Sequence, residues 1–523
     1  MNKINRVIFS IIDNVRAEHF FNFINRGLLP NFKKLMENGI FSRNCVTDFP
    51  TITYPTQQSL ITGTYTGNYR KELCHGVPLS DWMGRDIAPP KLRCYASKDL
   101  QIYKMNEDLG RNCQTILETL QDSGNTSSIV QFINRGADYI FPENKIKLAF
   151  YYLLLSRKRF FLNLIALANT MIVQKLLENF KKPKKYFGNN EPPICSHLLF
   201  FTSDILCHAF GYDNKYYKLN LIHIDKQIGI LISELDKMGY LDDTAIAITA
   251  DHGNYRAGKT GSLTNFFEHN GLTHYHTRKN LKGNVNLCGF TGVGFFNFKG
   301  ASSHKYGWSH PTINELKKYG PKRINLLESL FKIEESYLMY YRDTNNTYDK
   351  GIIHLKRKDK TTGNIILGTI EYRGTGNNYK TKYIDEDDNN DIFGYSNDDI
   401  ASKLIDNRFH SINEWLKGTS HLDYPMYPDL IPRHFKNPRS SDIIISTDGN
   451  IVFNYEHKKK KMDYSYNHDI GLRKCAIVPL IIGGSKEIPH QEIPYCKTTD
   501  IVPTLLKMIG KKPHKSVIGE SLT

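Results

Sequence analysis

The chain has 523 residues, of which 40% are hydrophobic and 23% charged, a balance typical of a folded protein rather than a disordered one. Its length predicts one large α/β domain with insertions, or two to three domains. Lys and Arg outnumber Asp and Glu by 69 to 53, and this net charge of +16 favours anionic partners. The sequence has no RGG segment and no zinc-finger spacing, so we do not expect specific nucleic-acid binding.

The first apolar stretch, residues 6–13, ends in a polar turn. Such a run is typical of a parallel strand buried on both faces. It is short for a signal peptide and lacks a small-residue cleavage site, so we interpret it as the first strand of the fold. The nine cysteines are odd in number and scattered without a CxxC pair. They predict reduced thiols and a cytoplasmic location.

Helix and strand patterns then alternate as far as residue 254. Amphipathic helices are predicted at 17–26, 31–38 and 217–238. Apolar strands at 197–204 and 244–253 run into acidic residues at their ends. This alternation predicts the α/β class, with a doubly wound, mostly parallel sheet and helices on both faces. Ligands of such sheets bind beyond the carboxyl ends of the strands.

Two insertions interrupt the alternation. A helical insert over about 137–196 contains the apolar stretch 145–180, which charges at 157–159 divide into pieces shorter than a membrane span of ~18 residues. We predict two amphipathic helices packed on the core and no membrane contact; the alternative is binding in a membrane interface. The second insertion, 255–437, contains a hairpin pattern around 360–364 and predicts an α+β cap.

The α/β pattern returns at 441–449, 475–484 and 498–510. The simplest domain organisation is therefore a discontinuous core, 1–254 plus 438–523, that carries the helical insert and the cap. We interpret the acidic stretch 385–391 as a solvated loop rather than a calcium site.

Side chains of metal-binding type follow the predicted central strands. The candidate ligands are Asp13, Asp204, His208, Asp251, His252 and His468. Carboxylates and imidazoles without thiolates suit Zn²⁺, with Mn²⁺ as the alternative. The candidates divide into two sites: Asp204, His208 and His468; and Asp13, Asp251 and His252 with an oxygen of Thr53. Two neighbouring divalent ions clamp the attacking and leaving oxygens of an in-line displacement.

Thr53 lies in the stretch DFPTITYPTQQSLITG, residues 48–63, in front of a predicted helix. A divalent ion would make its hydroxyl a usable nucleophile, which a free threonine is not. Pro55 suits a first helical position, and a helix N-terminus directs N–H groups at a phosphoryl group. The alternative is that Thr53 only caps the helix, which does not account for the ligands at the other strand ends.

The order of these motifs resembles the alkaline phosphatase superfamily, and within it the type I phosphodiesterase/nucleotide pyrophosphatase family. The matching motifs are IID, FPTITYPTQQSLITGTY, DILCH, ADHG and a late histidine before VPL. The resemblance covers almost all of the sheet core and implies an alkaline-phosphatase-like fold. Residue by residue, it implies Thr53 as the nucleophile and the following metal ligands: Asp13, Asp204, His208, Asp251, His252 and His468.

Two positions depart from the family pattern. Members often carry Asn-His where this chain has Thr56-Gln57, and an Asn where it offers Ser80 or Asp81. We take Thr56, Gln57 and Asp81 as the candidate substrate contacts, and the choice between monoester and diester stays open. A sulfatase is not expected, because its nucleophile is made from Cys or Ser.

We therefore predict a two-metal hydrolase of small phosphorylated substrates such as nucleotides, acting on phosphodiester or nucleotide pyrophosphate bonds through a covalent threonine intermediate. The alternatives are a phosphomonoesterase, a phospho-group transferase near a membrane, and an anion-binding pseudoenzyme. Four weaker candidates for phosphate or metal contacts are interpreted first as surface groups: Arg16, Lys259, the histidine loop 269–278 and the basic run 457–461.

Overall fold

The computed structural model of the protein describes residues 4–85, 87–97, 100–143, 161–276, 280–303, 307–386, 391–454 and 465–523. Its strands are β1 (Arg6–Ile12), β2 (Ile40–Val46), β3 (Asp81–Gly84), β4 (Lys91–Cys94), β5 (Thr126–Ile129), β6 (Tyr139–Phe141), β7 (Cys195–Phe200), β8 (Thr244–Thr249), β9 (Tyr255–Arg256), β10 (Lys259–Ser262), β11 (Val285–Phe290), β12 (Val293–Phe298), β13 (Leu338–Arg342), β14 (Lys350–Lys358), β15 (Ile365–Arg373), β16 (Lys380–Asp385), β17 (Ile443–Ser446), β18 (Ile451–Asn454), β19 (Tyr466–Asn467), β20 (Ile477–Gly484), β21 (Gln491–Glu492) and β22 (Cys496–Lys497). Its α-helices are α1 (Ala17–Asn25), α2 (Pro30–Glu37), α3 (Thr53–Thr62), α4 (Met105–Asp108), α5 (Ile116–Leu120), α6 (Phe161–Lys181), α7 (Pro183–Phe187), α8 (Thr202–Phe210), α9 (Lys215–Lys237), α10 (Thr264–His269), α11 (Ile313–Leu316), α12 (Leu326–Ser329), α13 (Ile412–Thr419), α14 (Tyr427–Lys436), α15 (Arg473–Ala476) and α16 (Ile501–Met508).

The larger sheet has the strand order β21–β2–β20–β8–β1–β7–β5–β6, and β22 also pairs with β2. Its central strand, β1, is parallel to both β7 and β8. Only β20 is antiparallel to its neighbours among the described pairs of this sheet, since it runs against β8 and β2. The predicted mostly parallel sheet of an α/β protein is confirmed.

The centre of this sheet consists of continuous apolar runs. Every residue of β7 and β8 is buried, as is every residue of β1 except Arg6. Strands buried throughout are covered by packing on both faces. Helices α1 and α2 pack against β20, α6 packs against β5 and β7, and α16 packs against β8. The central strands therefore form a rigid base for whatever follows their carboxyl ends.

The helical insert supplies α6, which packs along α9. Asn169 of α6 is buried, and its Nδ2 donates to Asn220 Oδ1 of α9 over 2.8 Å. Thr202, the first residue of α8, donates its Oγ1 hydrogen to Asn169 Oδ1 over 2.8 Å. These bonds attach the insert to α8, the helix that carries Asp204 and His208.

The second sheet is antiparallel, with the order β11–β12–β17–β13–β14–β15–β16. Its hairpin β14–β15 confirms the turn predicted around 360–364. We expected the strand at 441–449 to rejoin the first sheet, but β17 lies inside the second sheet between β12 and β13. The chain rejoins the first sheet only with β20. A short apolar run such as IIIS, residues 443–446, predicts a buried strand, but it does not predict which sheet that strand joins.

A buried ion pair ties the β3–β4 hairpin to the second sheet. Arg85 Nη1 donates to Asp442 Oδ2 over 2.6 Å, and His310 Nδ1 lies 2.5 Å from Asp442 Oδ1. The backbone N–H of Phe298 also donates to Asp442 Oδ2. Burial raises the pKa of Asp442, but Arg85, His310 and the backbone N–H of Phe298 together outweigh burial and leave that pKa below its ordinary value. We call Arg85, His310 and Asp442 the Asp442 cluster.

Several predicted features fall partly or wholly outside the described residues. These are the start of the apolar stretch, 144–160, the basic run 457–461, the end of the histidine loop, 277–279, and most of the acidic loop, 387–390. Among the helices that are described, none combines the length and the hydrophobicity that a bilayer crossing requires.

Candidate active site

The candidate carboxylates come together because their strands are neighbours. Asp13 directly follows β1, Asp251 follows β8 after one residue, and Asp204 lies in the first turn of α8 after β7. Since β8, β1 and β7 are parallel and adjacent, their carboxyl ends open at the same edge of the sheet. The backbone N–H of Asp13 donates to Phe200 O over 3.0 Å, which holds the two strand ends together.

His468 reaches this edge through the two-stranded sheet that β9 and β19 form. The strand β19 ends at Asn467, immediately before His468, and pairs with β9, which lies three residues beyond His252. The imidazole of His468 stacks on that of His252 with ring centroids 3.8 Å apart. A residue more than 200 positions away in sequence thus joins the strand-end ligands through two backbone pairings.

The six ligands form two groups, and within each group the ligand atoms lie within 4.8 Å of one another. The buried group is Asp13, Asp251 and His252, whose side chains are 6%, 0% and 0% exposed. The open group is Asp204, His208 and His468, whose side chains are 22%, 41% and 14% exposed. The two groups contain the same carboxylates and imidazoles as the two sites expected from the sequence.

All three imidazoles are oriented by backbone carbonyl groups. The Nδ1 atoms of His208, His252 and His468 lie 2.9, 3.1 and 2.9 Å from the carbonyl oxygens of Tyr466, Gly253 and Thr51. A carbonyl oxygen only accepts, so each Nδ1 carries a hydrogen, which leaves Nε2 as the ring nitrogen that can bind a metal when it is unprotonated. The Nε2 atoms point at carboxylates of their own group, 3.2 to 3.9 Å away. This is the orientation that histidine ligands of metals adopt.

The charge of the buried group also fits a cation. Burial raises the pKa of Asp13, and the nearby charges of Asp251 and Asp204 raise it further. Burial raises the pKa of Asp251 to about 6. Among the described residues, no Lys or Arg forms an ion pair with these carboxylates, and the buried Asp13 Oδ1 accepts no hydrogen bond. Such a cluster is costly without a bound positive charge, so the residues present fit divalent cations.

The charges of the open group are better balanced. Burial raises the pKa of Asp204, but the nearby histidines, His208 above all, together lower it more, and the net pKa lies below the ordinary value. Burial lowers the pKa of His208, while Asp204 raises it, to about 9 in total. In the absence of metal these two side chains therefore form an ion pair, which a cation would have to replace.

Thr53 is the first residue of α3, and the helix cap is Ile52. The capping alternative for Thr53 is therefore wrong, and Pro55 occupies the third helical position rather than the first. The Thr53 hydroxyl lies 3.0 Å from His252 Nε2, which places it in the buried group. A residue at the start of a helix also lies where the unpaired backbone N–H groups and the helix dipole favour an anion.

The two residues at the Thr56-Gln57 departure face different surroundings. Thr56 is fully buried, and its hydroxyl bonds back to the carbonyl oxygens of Ile52 and Thr53, so the structure does not bring it to the site. Gln57 is brought there: its Nε2 donates to Asp251 Oδ2 over 2.8 Å. Gln57 thus holds a carboxylate ligand in place as well as lining the cavity described next.

A cavity of about 500 Å³ opens from the ligands. Ser80 lines it, whereas the adjacent Asp81 does not. Asp81 instead begins β3, its Oδ1 is buried without a hydrogen bond, and burial raises its pKa. Between the two alternatives for this family position, the structure therefore brings Ser80 and not Asp81 to the site.

Sequence reasoning missed Asn14, which bridges the two ligand groups. Its backbone N–H donates to Asp251 Oδ1 over 3.1 Å, and its side-chain Nδ2 donates to Asp204 Oδ1 over 2.8 Å. The backbone of Asn14 is left-handed, with φ of 63°, a conformation that asparagine tolerates better than most residues. Asn254 Nδ2 donates to Asn14 Oδ1 and fixes the orientation of its amide. The available signal was an asparagine directly after a strand-end aspartate.

The chain is similar to known proteins of one family. The family model described as type I phosphodiesterase/nucleotide pyrophosphatase matches residues 7–293. Human ectonucleotide pyrophosphatase/phosphodiesterase family member 5 is 23% identical over 224 residues, which span 43% of this chain and 40% of that relative. The sequence match thus covers less than half of either protein.

Solved structures of the same relative share the fold. The human structure superposes with a TM-score of 0.57 at 15% identity, over 97% of this chain and 96% of that one. An inactive threonine-to-alanine variant of the murine protein, in complex with AMP, superposes with a TM-score of 0.55 at 13% identity over the same shares. The alkaline-phosphatase-like architecture expected from the sequence is confirmed.

Proposed function

Because the chain belongs to the type I phosphodiesterase/nucleotide pyrophosphatase family, a family of hydrolases, we propose that it cleaves phosphoric diesters through a covalent threonine intermediate. The observation that carries the proposal is the position of the Thr53 hydroxyl. It lies 3.0 Å from His252 Nε2, at the helix N-terminus, and beside two groups of carboxylate and imidazole ligands. A capping or packing threonine requires none of these neighbours.

We assign one divalent cation to the buried group and one to the open group, with Zn²⁺ first and Mn²⁺ as the alternative. When bound, such ions lower the pKa of a nearby hydroxyl and neutralise the charge that develops on phosphoryl oxygens. The protein supplies the arrangement. Carbonyl groups orient the imidazoles, Asn14 bonds to a carboxylate of each group, and α3 presents Thr53.

In the first step, Thr53 Oγ1 forms a bond to phosphorus, and the bond from phosphorus to the leaving alcohol oxygen breaks. The proton lost by Thr53 passes to solvent, and the leaving oxygen takes up one proton. In the second step, a water oxygen bonds to phosphorus and the bond to Thr53 Oγ1 breaks, which restores the hydroxyl. The sum is one diester and one water converted to one phosphomonoester and one alcohol, with inversion at each step.

Within this proposal, a nucleotide is the first substrate class to test, because the murine relative was solved with AMP. The cytoplasmic location also stays a proposal. It is consistent with the nine cysteines, none of which forms a disulfide and eight of which are buried.

The test is hydrolysis of bis-nitrophenyl phosphate and mono-nitrophenyl phosphate with Zn²⁺ or Mn²⁺ added. We expect faster cleavage of the diester. Thr53→Ala should lower kcat by at least about 10³-fold, as loss of a nucleophile does elsewhere, with an unchanged melting temperature. Thr53→Ser, which keeps a hydroxyl, is the matched control and should retain measurable turnover. Wild-type kcat in Thr53→Ala would exclude the covalent step, and preference for the monoester would favour a phosphomonoesterase.

A further inference from the structure

The cavity beside the ligands is polar only in part. The polar side chains that line it are Asp13, Thr53, Tyr54, Gln57, Ser80, Asp204, His208 and His468. All the other described lining residues are apolar, and most of them come from α6, α8 and the carboxyl ends of β5, β6 and β7 with the residues just beyond them. A phosphate group would occupy the ligand end, so one of its substituents must occupy the apolar part.

The main apolar wall is one face of α6. Leu164, Leu167, Ala168 and Met171 line the cavity, at the i, i+3, i+4 and i+7 spacing of a single helical face. An adjoining face of α6 is already used for packing, with residues such as Ile165, Ile172 and Leu176 in the core. The described helix therefore has two adjoining apolar faces, one in the core and one along the cavity.

This second face is held in a fixed position relative to the ligands. The buried Asn169 bonds to α9 and to Thr202, and Thr202 begins the helix that carries Asp204. Leu167 remains 51% exposed, so the wall continues to the mouth of the cavity. An apolar face that is costly to leave in water, and that leads directly to a phosphate site, fits an aliphatic substituent of the substrate.

We propose that the substrates of this site are amphiphilic phosphodiesters, in which one ester substituent is a long aliphatic chain that lies along α6. The inference rests on the proposed function and deepens it. A nucleoside would place polar base and ribose groups against this apolar wall. Unpaired polar groups in such surroundings cost binding energy, whereas each buried methylene adds to it.

The test is a series of n-alkyl nitrophenyl phosphates from methyl to octyl, assayed below their critical micelle concentrations. Because burying one methylene strengthens binding about fourfold, kcat/KM should rise by about that factor for each added carbon until the cavity is filled. Equal kcat/KM for the methyl and octyl esters would overturn the inference while leaving the phosphodiesterase intact.

Two matched substitutions locate the effect on the α6 wall. Leu167→Asp puts a charge at the cavity mouth, and Leu219→Asp puts one on α9 at a leucine of similar exposure, 57% against 51%. Leu167→Asp should lower the octyl-to-methyl ratio of kcat/KM by at least about tenfold. Leu219→Asp should leave the ratio as in the wild type. Ala168→Trp, which fills the cavity with a large apolar group, should also lower the ratio. Equal ratios in all of these proteins would contradict the assignment of the wall.

A binding measurement distinguishes failure of the proposed function from failure of the aliphatic site. If no ester is hydrolysed, titration calorimetry of the metal-loaded protein with methyl and octyl phosphate still measures chain-length dependence. Tighter binding of octyl phosphate, lost in Leu167→Asp, would support the aliphatic site in a protein that is not a diesterase. Equal binding of the two compounds would exclude the site.

Discussion

Two clusters of buried charge in this protein have opposite balance. In the Asp442 cluster a single carboxylate contacts a guanidinium and an imidazole, and its pKa lies below the ordinary value. In the buried group of the active site two carboxylates lie beside a neutral histidine, and their pKa values are raised. The carboxylates of both clusters are buried. Burial of a charged group alone therefore does not mark a functional site, whereas buried carboxylates without a protein cation do.

Metal removal is expected to have the largest effect, and it tests the difference in charge balance between the two clusters. Chelation with EDTA should abolish diester hydrolysis and lower the melting temperature, because the carboxylates then lose their only balancing charge. At free metal about 1000-fold above Kd, binding contributes about 4 kcal/mol of stability. Differential scanning fluorimetry with and without added Zn²⁺ measures the change. Full activity in protein whose metal content is near zero would refute the two-metal assignment.

The second effect concerns the balanced cluster. Asp442→Asn leaves Arg85 buried without its counter-charge, so the free energy of unfolding should fall by about 3–5 kcal/mol. The loss should be the same with and without metal, since the cluster holds its own cation. Urea denaturation under both conditions is the measurement. A loss that appears only in metal-loaded protein would mean that the two clusters are linked.

A smaller effect is expected from the amide that supports the ligands. Gln57→Leu removes the hydrogen bond to Asp251 and should weaken metal binding about 10- to 100-fold, as loss of a partner of a metal ligand does. Gln58→Leu is the matched control, because neither polar atom of the buried Gln58 side chain has a hydrogen-bond partner. Metal titration followed by calorimetry compares the two variants. Similar affinities would show that Gln57 does not support the site.

The smallest effect has the opposite sign. In metal-free protein the raised pKa of Asp13 means that folding disfavours its charged form, so this carboxylate costs stability once it is ionised. Asp13→Asn should therefore stabilise the metal-free protein, on the order of 1 kcal/mol at pH 8. The gain should shrink as the pH is lowered to 5, where folding retains the proton. Urea denaturation in EDTA at the two pH values tests this.

The open group provides the comparison for that experiment. Asp204 has a lowered pKa because His208 is beside it, so Asp204→Asn should destabilise the metal-free protein rather than stabilise it. If both substitutions change stability in the same direction, the assignment of opposite charge balance to the two groups is wrong.

Much of the site could be predicted from the sequence because its ligands follow strands. Asp13, Asp204 and Asp251 each terminate an apolar run or begin the next helix, and parallel strands bring such positions to one edge. The supporting contacts could not be predicted in the same way. Nothing local to Gln57 indicates that its amide reaches Asp251, and nothing local to Thr56 indicates that its hydroxyl turns back to its own helix.

The second sheet shows the same limit in the fold. Residues 441–446 read as a buried strand, and they form one, yet the partner strands β12 and β13 belong to the second sheet. Hydrophobic periodicity indicates which side chains of a strand are buried. It does not indicate which strand lies beside it in the sheet.

By itself, the sequence determined the class of fold and the candidates for the ligands and the nucleophile, because these depend on side-chain type and on order along the chain. Only the tertiary structure decided how the ligands divide by burial, which carboxylates lack a balancing charge, and where the apolar wall of α6 lies relative to Thr53. Those properties depend on distances between residues far apart in sequence, and such distances are set by packing.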